Sequence, residues 1–152
     1  MDTREILNRR ARHDFEVLES CEAGIALTGT EVKSVRAGNA SLLGAFARVD
    51  RGEMWLIGAH IDEYAHGNRF NHDPKRFRKL LLHRVEIERL AERCSSGGCV
   101  VVPLRIYFNR RGIAKVQLAL CRGKTGVDRR EDLRRRDAER EMRQAIKQRR
   151  RR

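Results

Sequence analysis

Residues 102–120 read VPLRIYFNRRGIAKVQLAL, and this stretch decides the fold class. Apolar side chains occupy every second position on both sides of a central Asn-Arg-Arg-Gly sequence. Alternation with a period of two is typical of strands that bury one face, and Asn and Gly between two such strands are typical of a turn. The stretch therefore predicts a β-hairpin with one apolar face in the core and one basic, polar face outside. The core face of its first strand would carry Val102, Leu104, Ile106 and Phe108.

Other short apolar segments predict further strands. They cover residues 15–17, 24–27, 45–49 and 54–57. About six short strands in a small domain favour a closed antiparallel barrel over an open sheet, because closure removes exposed strand edges.

Two segments predict helices that flank this barrel. Thr28 and Glu31 have the spacing of a capping box, and Gly38 is placed to end that helix in a left-handed conformation. Apolar residues from Ile87 to Cys94 recur at i, i+3, i+4 and i+7, which predicts an amphipathic helix that closes one end of the barrel. The predicted fold class is mainly β with flanking helices. Its barrel is like that of the oligonucleotide/oligosaccharide-binding (OB) fold, whose surface accepts nucleic acid.

The chain is strongly basic. Its 152 residues carry a formal net charge of +13, the pI is near 10.7, and most of the 34 basic residues are Arg. A positive field of this size favours polyanions, and the Arg guanidinium can bind phosphate and stack on bases. No apolar run is long enough to cross a membrane, and the first residues lack the apolar region of a signal peptide. We therefore expect a cytoplasmic protein that binds nucleic acid and not a membrane.

The composition changes after Gly123. Residues 124–152 are dominated by charged side chains and hold almost nothing that could form a core. We therefore expect two parts: residues 1–123 form an OB-type barrel with a short N-terminal arm, and residues 124–152 form a basic C-terminal tail. The tail is predicted to be either disordered or a helix formed on binding, since ion pairs at i, i+4 without a packed apolar face give only partial helicity. These pairs are Glu131–Arg135, Asp132–Arg136 and Glu139–Arg143.

A basic arm leads into the first strand. Arg9, Arg10 and Arg12 precede a strand start that would place His13 and Phe15 on the same side. On an RNA target the arginines would bind phosphates, while the two rings would stack on or hydrogen-bond to exposed bases. The alternative is a solvated arm that leads to a core Phe, and the residues alone favour neither interpretation.

Two further positions suggest RNA contacts. The Glu22 carboxylate could accept from a guanine edge or a ribose 2′-hydroxyl, although pairing with a neighbouring Arg is the commoner arrangement. A polar segment up to residue 78 runs into an apolar triplet, Leu80–Leu82, which would anchor it in the barrel. The cations that it offers to phosphates are Arg76, Arg78 and Lys79. His83 is placed either to begin a helix or to contact the ligand.

Three His–Asp neighbours raise the alternative of an enzyme. They are His13–Asp14, His60–Asp62 and His72–Asp73. An imidazole beside a carboxylate can bind a metal or activate water, but the sequence has no HExxH, no phosphate-binding P-loop and no nucleophile elbow. Its four cysteines form no CxxC pair. We therefore predict no catalytic residue, no metal and no cofactor, and expect reduced, half-buried thiols. The second hypothesis is a general OB-type factor with similar affinity for any structured RNA.

Five blocks of sequence, in one order and spacing, resemble the SmpB family over nearly the whole chain. The blocks are Asn8–Asp14, Glu22–Ile25, Gly29–Gly38, Asn68–Arg76 and Arg78–His83. The Val-Pro-Leu sequence at 102–104 and the Gly-Lys pair at 123–124 are also similar. The tail departs from the family, since Thr125 replaces a Lys and Val127 replaces a Tyr or His that can stack on a base.

The resemblance implies an RNA-binding adaptor of trans-translation with an OB-type barrel. Members of the family bind the tRNA-like domain of transfer-messenger RNA and bring it to stalled ribosomes, where the nascent peptide is tagged. Elongation factor Tu and alanyl-tRNA synthetase are partners through the RNA. Carried over by position, the RNA-binding surface includes His13, Phe15, Glu22, Leu81 and His83. The tail is implied to enter the small-subunit decoding site and mRNA channel, with Lys124, Asp128, Arg129 and Arg130 at the decoding site.

Overall fold

The computed structural model describes residues 4–65, 71–123 and 129–150, with the side chains of the last range described from 135 to 149. The strands are β1 (Ile6–Leu7), β2 (Phe15–Ile25), β3 (Ala40–Ser41), β4 (Phe46–Asp50), β5 (Glu53–Ile57), β6 (His60–Ile61), β7 (Arg78–Leu81), β8 (Cys99–Phe108) and β9 (Ala114–Gly123). The helices are α1 (Ala11–Asp14), α2 (Gly29–Arg36), α3 (Arg84–Ser96) and α4 (Arg129–Arg150).

Within the described residues, six antiparallel strands form a closed barrel. Their order is β8–β4–β5–β7–β2–β9, and β9 pairs again with β8 to complete the ring. The predicted hairpin supplies this closing pair. β1 also pairs with β8, while β3 and β6 form a separate two-stranded sheet. The predicted antiparallel barrel with flanking helices is therefore confirmed.

The hairpin contributes apolar side chains to two clusters, one on each side of the sheet. Ile106 lies in the main core inside the barrel with Phe108 packed against it, whereas Val102 and Leu104 lie in a second apolar cluster on the other side of β8. The pairing of β8 with β9 shifts register just after Pro103. Proline has no N–H to donate, and such a bulge changes which side chains face the barrel interior. The prediction that these four apolar residues share one core face is therefore wrong.

Both predicted helices are present. The Glu31 N–H donates to Thr28 Oγ1 at 3.4 Å and the Thr28 N–H donates to Glu31 Oε1 at 2.8 Å, which completes the capping box at the start of α2. Gly38 follows α2 with a φ of +83°, the left-handed conformation expected there. α3 packs on β4 and β8 and inserts Ile87 and Leu90 into the main core.

The described part of the tail is a helix that rests on the barrel. The half-buried side chains of α4 recur on one face at intervals of three and four residues. They are Arg135, Ala138, Glu139, Met142, Ala145 and Ile146. Glu139 Oε2 lies 4.0 Å from Arg48 Nη1 of β4, whereas the sequence predicted that Glu139 would pair with Arg143. The contact face arises because small and apolar residues share one side of α4. The sequence analysis did not predict this face, because charged residues dominate the composition of the tail.

Candidate nucleic-acid interface

One surface cleft gathers four of the residues predicted to bind RNA. It has a volume of about 840 Å³ and lies between β2, the β4–β5 turn, β7 and the first turn of α3. We call it the β7 cleft. The predicted residues in its lining are Glu22, Lys79, Leu81 and His83.

β7 places alternate side chains in the core and in this cleft. Arg78 and Leu80 are buried, whereas Lys79 and Leu81 point outwards. Leu81 is 52% exposed and lies opposite Gly24 of β2. A Cβ at Gly24 would lie only 3.2 Å from Leu81 Cβ, so glycine lets Leu81 lie close over β2. Leu81 therefore offers an apolar surface in the cleft. The residue that anchors the segment in the core is Leu80.

The Glu22 carboxylate is held by a tyrosine that the sequence analysis did not single out. Tyr107 Oη on β8 donates a hydrogen bond to Glu22 Oε2 on β2, across the intervening β9. The Arg105 guanidinium lies over the Tyr107 ring, 4.2 Å from its centroid. Partial burial and the Glu22 carboxylate raise the pKa of Tyr107 to about 12, so the phenol remains a donor at neutral pH. The partner of the Glu22 carboxylate is thus a neutral phenol and not the neighbouring Arg that the sequence suggested.

Additional cations surround the β7 cleft. Those that the sequence analysis did not single out are Arg51, Arg84 and Lys115. Lys79 Nζ lies 3.3 Å from Glu53 Oε1, and both side chains are 44% exposed. Because so exposed an ion pair contributes little to stability, Lys79 can exchange Glu53 for a phosphate at small cost. The cleft therefore offers cations to phosphates and a carboxylate to hydrogen-bond donors.

His83 occupies the N-cap position of α3. Its carbonyl oxygen accepts a hydrogen bond from the Ile87 N–H at 3.1 Å. The backbone of His83 therefore begins the helix, which was one of the two predicted alternatives. Its side chain makes no capping hydrogen bond and is exposed at the edge of the cleft. The imidazole is therefore available to a ligand.

The predicted N-terminal contacts form a second group at the far end of β2. Seven residues at roughly 3.3 Å each separate Phe15 from Glu22, a span of about 23 Å. Phe15 packs on the second apolar cluster, and the Arg135 guanidinium of α4 lies 4.5 Å from its ring centroid. The arginines of this group, all exposed, are Arg9, Arg10 and Arg12. The structure therefore does not bring the N-terminal group together with the β7 cleft.

His13 departs from its predicted position. It lies in α1, not at a strand start, so the prediction that it shares a strand face with Phe15 is wrong. The N–H groups of residues 13 and 14 donate to the Arg10 carbonyl oxygen, which keeps the chain helical up to Asp14. The His13 side chain is 84% exposed and its Nδ1 lies 3.1 Å from Asp14 Oδ1.

The predicted phosphate contact from Arg78 is wrong. Its side chain has no exposed area, and its Nε donates to the buried Glu31 Oε2 at 2.6 Å. Arg76 Nη2 donates to Glu31 Oε1 at 2.5 Å, and the Arg76 side chain is 26% exposed. Of the three cations predicted here, Lys79 is the one that lies in the cleft.

The tail residues predicted for the decoding site lie at or before the start of α4. Lys124, Thr125, Val127 and Asp128 lie outside the described residues. Arg129 and Arg130 are the first residues of α4, and their side chains lie outside the described part. No helix in the described ranges is long and apolar enough to cross a membrane.

The His–Asp neighbours do not converge on one site. His60 Nε2 lies 2.9 Å from Asp62 Oδ1 at the surface. His72 is buried, with Nε2 hydrogen-bonded to the Ile61 carbonyl oxygen at 2.9 Å and Nδ1 to Thr30 Oγ1 at 2.8 Å. Among residues 4–65, 71–123 and 129–150, no group of three or more His, Cys, Asp or Glu side chains could hold a metal ion.

The four cysteines are free thiols. Cys21, Cys94 and Cys99 are half-buried, as predicted, whereas Cys121 is fully buried in the second apolar cluster. Burial raises the pKa of Cys21 and Cys94, and that of Cys121 to about 11, which keeps these thiols protonated.

Comparison with known proteins decides the family. The family model described as "SmpB protein" matches residues 5–148. The chain belongs to the SmpB family. A protein of Desulforamulus reducens named "SsrA-binding protein" is 56% identical over 142 residues, covering 93% of this chain and 88% of that protein. One of the same name from Nocardia farcinica is 58% identical over 135 residues, covering 89% and 84%.

A solved structure carries the same resemblance. It is described as "tmRNA-SmpB: a journey to the center of the bacterial ribosome", and its chain is 53% identical with a TM-score of 0.69. The match covers 82% of this chain and 87% of that chain. The SmpB resemblance predicted from five sequence blocks is therefore confirmed.

Some of the residues that sequence reasoning missed at this SmpB-family surface could have been found from the hairpin pattern. Tyr107 and Lys115 face each other across the hairpin, and the sequence had already assigned its polar face. Arg51 lies in the turn between β4 and β5 with a positive φ of 51°. What the sequence did not supply was the strand order that brings these residues beside Glu22.

Proposed function

We propose that this chain binds the tRNA-like domain of transfer-messenger RNA and delivers it to stalled ribosomes, which enables nascent-peptide tagging and ribosome rescue. The observation that carries the proposal is the β7 cleft, where Glu22, Lys79, Leu81 and His83 converge on the outside of a barrel of the SmpB family. Relatives named "SsrA-binding protein" and a tmRNA-SmpB structure support the same partners.

In the cleft, each type of side chain has a distinct role toward RNA. Lys79, Arg51 and Lys115 neutralise phosphates, which supplies affinity that depends on salt. Leu81 offers apolar surface to a ribose or an unstacked base, while Glu22 accepts from a 2′-hydroxyl or a base amino group. No bond is made or broken by these groups, so the chain acts as an adaptor and not as an enzyme.

The N-terminal group and the tail extend this proposal beyond the cleft. Exposed Arg9, Arg10 and Arg12 bind phosphates, His13 and Phe15 contact bases, and the partly exposed Arg76 adds a cation. Residues 1–123 serve as the RNA-binding barrel. Residues 124–152 serve the decoding site and mRNA channel, with Lys124, Asp128, Arg129 and Arg130 at the decoding site. Elongation factor Tu and alanyl-tRNA synthetase join through the RNA, in the cytoplasm.

The test is a competition between a tRNA-like domain, ordinary tRNA and a plain duplex of equal length at physiological salt. We expect the tRNA-like domain to win, and Lys79→Ala to reduce the magnitude of the salt slope of log K by about 0.9, the value for one phosphate contact. Arg93→Ala is the matched control, since it removes one exposed charge of α3 outside the cleft. Equal affinity for all three RNAs would favour the general RNA-binding factor instead.

A second measurement separates the barrel from the tail. Truncation after Gly123 should leave binding to the tRNA-like domain and abolish peptide tagging on stalled ribosomes. Complete loss of RNA affinity in the truncated protein would contradict this division of roles.

A further inference from the structure

A charged cluster is buried at the base of β7. The Glu31 and Arg78 side chains have no exposed area, and Arg78 Nε donates to Glu31 Oε2 at 2.6 Å. The other Arg78 nitrogens bind backbone, with Nη1 donating to the Ala59 carbonyl oxygen at 2.9 Å and Nη2 to that of Pro74 at 3.1 Å. The guanidinium therefore ties α2, the connection between β5 and β6 and the segment before β7 to one point.

The Glu31 carboxylate holds the same elements from the other side. Its Oε1 accepts from the Thr28 N–H at 2.8 Å and from Arg76 Nη2 at 2.5 Å, and Arg76 Nη2 also donates to the Ala26 carbonyl oxygen at 3.3 Å. Burial acts to raise the pKa of Glu31, but the hydrogen bonds from Arg76, Thr28 and Arg78 and the charge of Arg78 outweigh it and lower the pKa. The carboxylate is therefore ionised and fully paired.

β7 itself offers few contacts that could fix its position. It has four residues, pairs with β2 at two positions and with β5 at three, and follows residues 71–77, which form neither helix nor strand. Successive side chains of a strand point to opposite faces, so a slip of one residue exchanges the buried and exposed sets. In β7 such a slip would turn Lys79 and Leu81 inwards and take Arg78 away from Glu31.

The apolar residues of β7 do not by themselves exclude this slip. Leu80, Leu81 and Leu82 are consecutive, so a shift that brings Leu81 to the position of Leu80 would still place a leucine in the core. The buried charges favour the present register, because separating Arg78 from Glu31 leaves Glu31 Oε2 in the interior without its partner and the carboxylate with the Arg76 guanidinium alone. Setting register is a well-attested use of buried polar pairs, which otherwise add little stability over apolar residues.

We propose that Glu31 and Arg78 are a positioning pair that fixes the register of β7 and thereby aims Lys79, Leu81 and His83 into the RNA-binding cleft. The inference rests on the proposed function. It assigns specificity for the tRNA-like domain to two residues that no RNA atom can reach.

The experiment compares Glu31→Gln with Val35→Ala. Gln keeps the shape of Glu31, but it removes the charge and replaces one acceptor oxygen by an amide NH2 group. Val35→Ala perturbs the same helix at a fully buried apolar position. Affinities for the tRNA-like domain and for a duplex of equal length are measured under conditions where near-ultraviolet circular dichroism shows each variant folded. We expect Glu31→Gln to weaken binding to the tRNA-like domain by about tenfold and to leave duplex binding unchanged, while Val35→Ala keeps the preference.

A double-mutant cycle with a cleft residue tests whether the effect acts through the cleft. His83→Ala should weaken binding of the tRNA-like domain in the wild-type chain. In the Glu31→Gln background the same substitution should cause no further loss of affinity. The nuclear Overhauser contact between the α-protons of Ile25 and Leu80, a non-hydrogen-bonded pair in the present register, should be lost in Glu31→Gln and kept in Val35→Ala. If Glu31→Gln does not fold, Arg78→Lys, which keeps the charge but loses the planar fork, carries the same expectations.

Two results overturn the inference while leaving the proposed function intact. One is a folded Glu31→Gln variant with undiminished preference for the tRNA-like domain. The other is a His83→Ala cost that is equal in both backgrounds. A wild-type chain with no preference for the tRNA-like domain is a different outcome, since it removes the proposed function and the inference with it.

Discussion

Replacement of Tyr107 by Phe tests the geometry of the β7 cleft most directly. The change deletes one hydroxyl, the group that donates to Glu22 Oε2, and leaves the ring under the Arg105 guanidinium. Glu22 is exposed and its carboxylate stays hydrated, so folding stability should change by less than about 0.5 kcal/mol. The effect should appear in RNA binding, because binding must then order a free carboxylate.

The expected size follows from that ordering. Immobilising one flexible side chain on association costs about 0.5–1.5 kcal/mol, so a loss of about 1 kcal/mol predicts roughly fivefold weaker binding. The slope of log K against log salt should not change, since the substitution alters no charge at neutral pH. Tyr64→Phe is the matched control, because Tyr64 lies outside the cleft.

The assay is fluorescence anisotropy with a labelled tRNA-like domain, in the wild-type and Glu22→Ala backgrounds. Tyr107→Phe should cost its factor of about five only where Glu22 is present, since the hydroxyl acts through that carboxylate. An equal loss in the Glu22→Ala background, or none in the wild-type chain, would refute the idea that Tyr107 orients Glu22.

Three further predictions concern stability and titration. Leu90→Ala, in the main core, should lower the unfolding free energy by about 2–5 kcal/mol in urea, whereas Val85→Ala, at a position 75% exposed on the same helix, should change it by less than about 0.5 kcal/mol. Ultraviolet absorbance should show Tyr107 ionising at about 12, and Glu22→Gln should move that pKa down because it removes the neighbouring negative charge. Because folding lowers the pKa of Glu31, ionised Glu31 adds to the free energy of unfolding above the usual carboxyl pKa range. This contribution is lost as the pH falls below that range and through the lowered pKa of the folded chain. Acid should therefore lower the urea unfolding free energy of the wild-type chain more steeply than that of Glu31→Gln, and parallel profiles would contradict this assignment.

Local patterns explain why much of the fold could be predicted. The capping box of Thr28 and Glu31 needs four consecutive residues, and the hairpin that ends at Gly123 depends on alternation and one turn. Each feature is decided by neighbours in the chain. The role of Leu81 came from the family blocks and not from a local pattern, and Glu22, which its own chemistry suggested, gained its main support from the same blocks.

Contacts between distant segments account for what sequence reasoning missed. Arg78 resembles a surface cation in its basic segment, and only its pairing with Glu31, 47 residues earlier, shows that it is buried. Tyr107 meets Glu22 across 85 residues, a proximity that depends on the order of three strands. The bulge after Pro103 changes the alternation of side chains that the prediction assumed. Two predicted core residues, Val102 and Leu104, therefore lie in the second apolar cluster.

The closing of the barrel by β9 has a consequence for how the chain folds during synthesis. β2 is made early, yet its long antiparallel partner is β9, and until β9 exists β2 has only a two-residue pairing with β7. Residues 26–113 separate the two strands, and 88 residues at about 5–20 residues per second mean a wait of roughly 4–18 s. Throughout that interval β2 is an open strand edge able to pair with another chain, so the nascent barrel is most prone to aggregate just before it is complete.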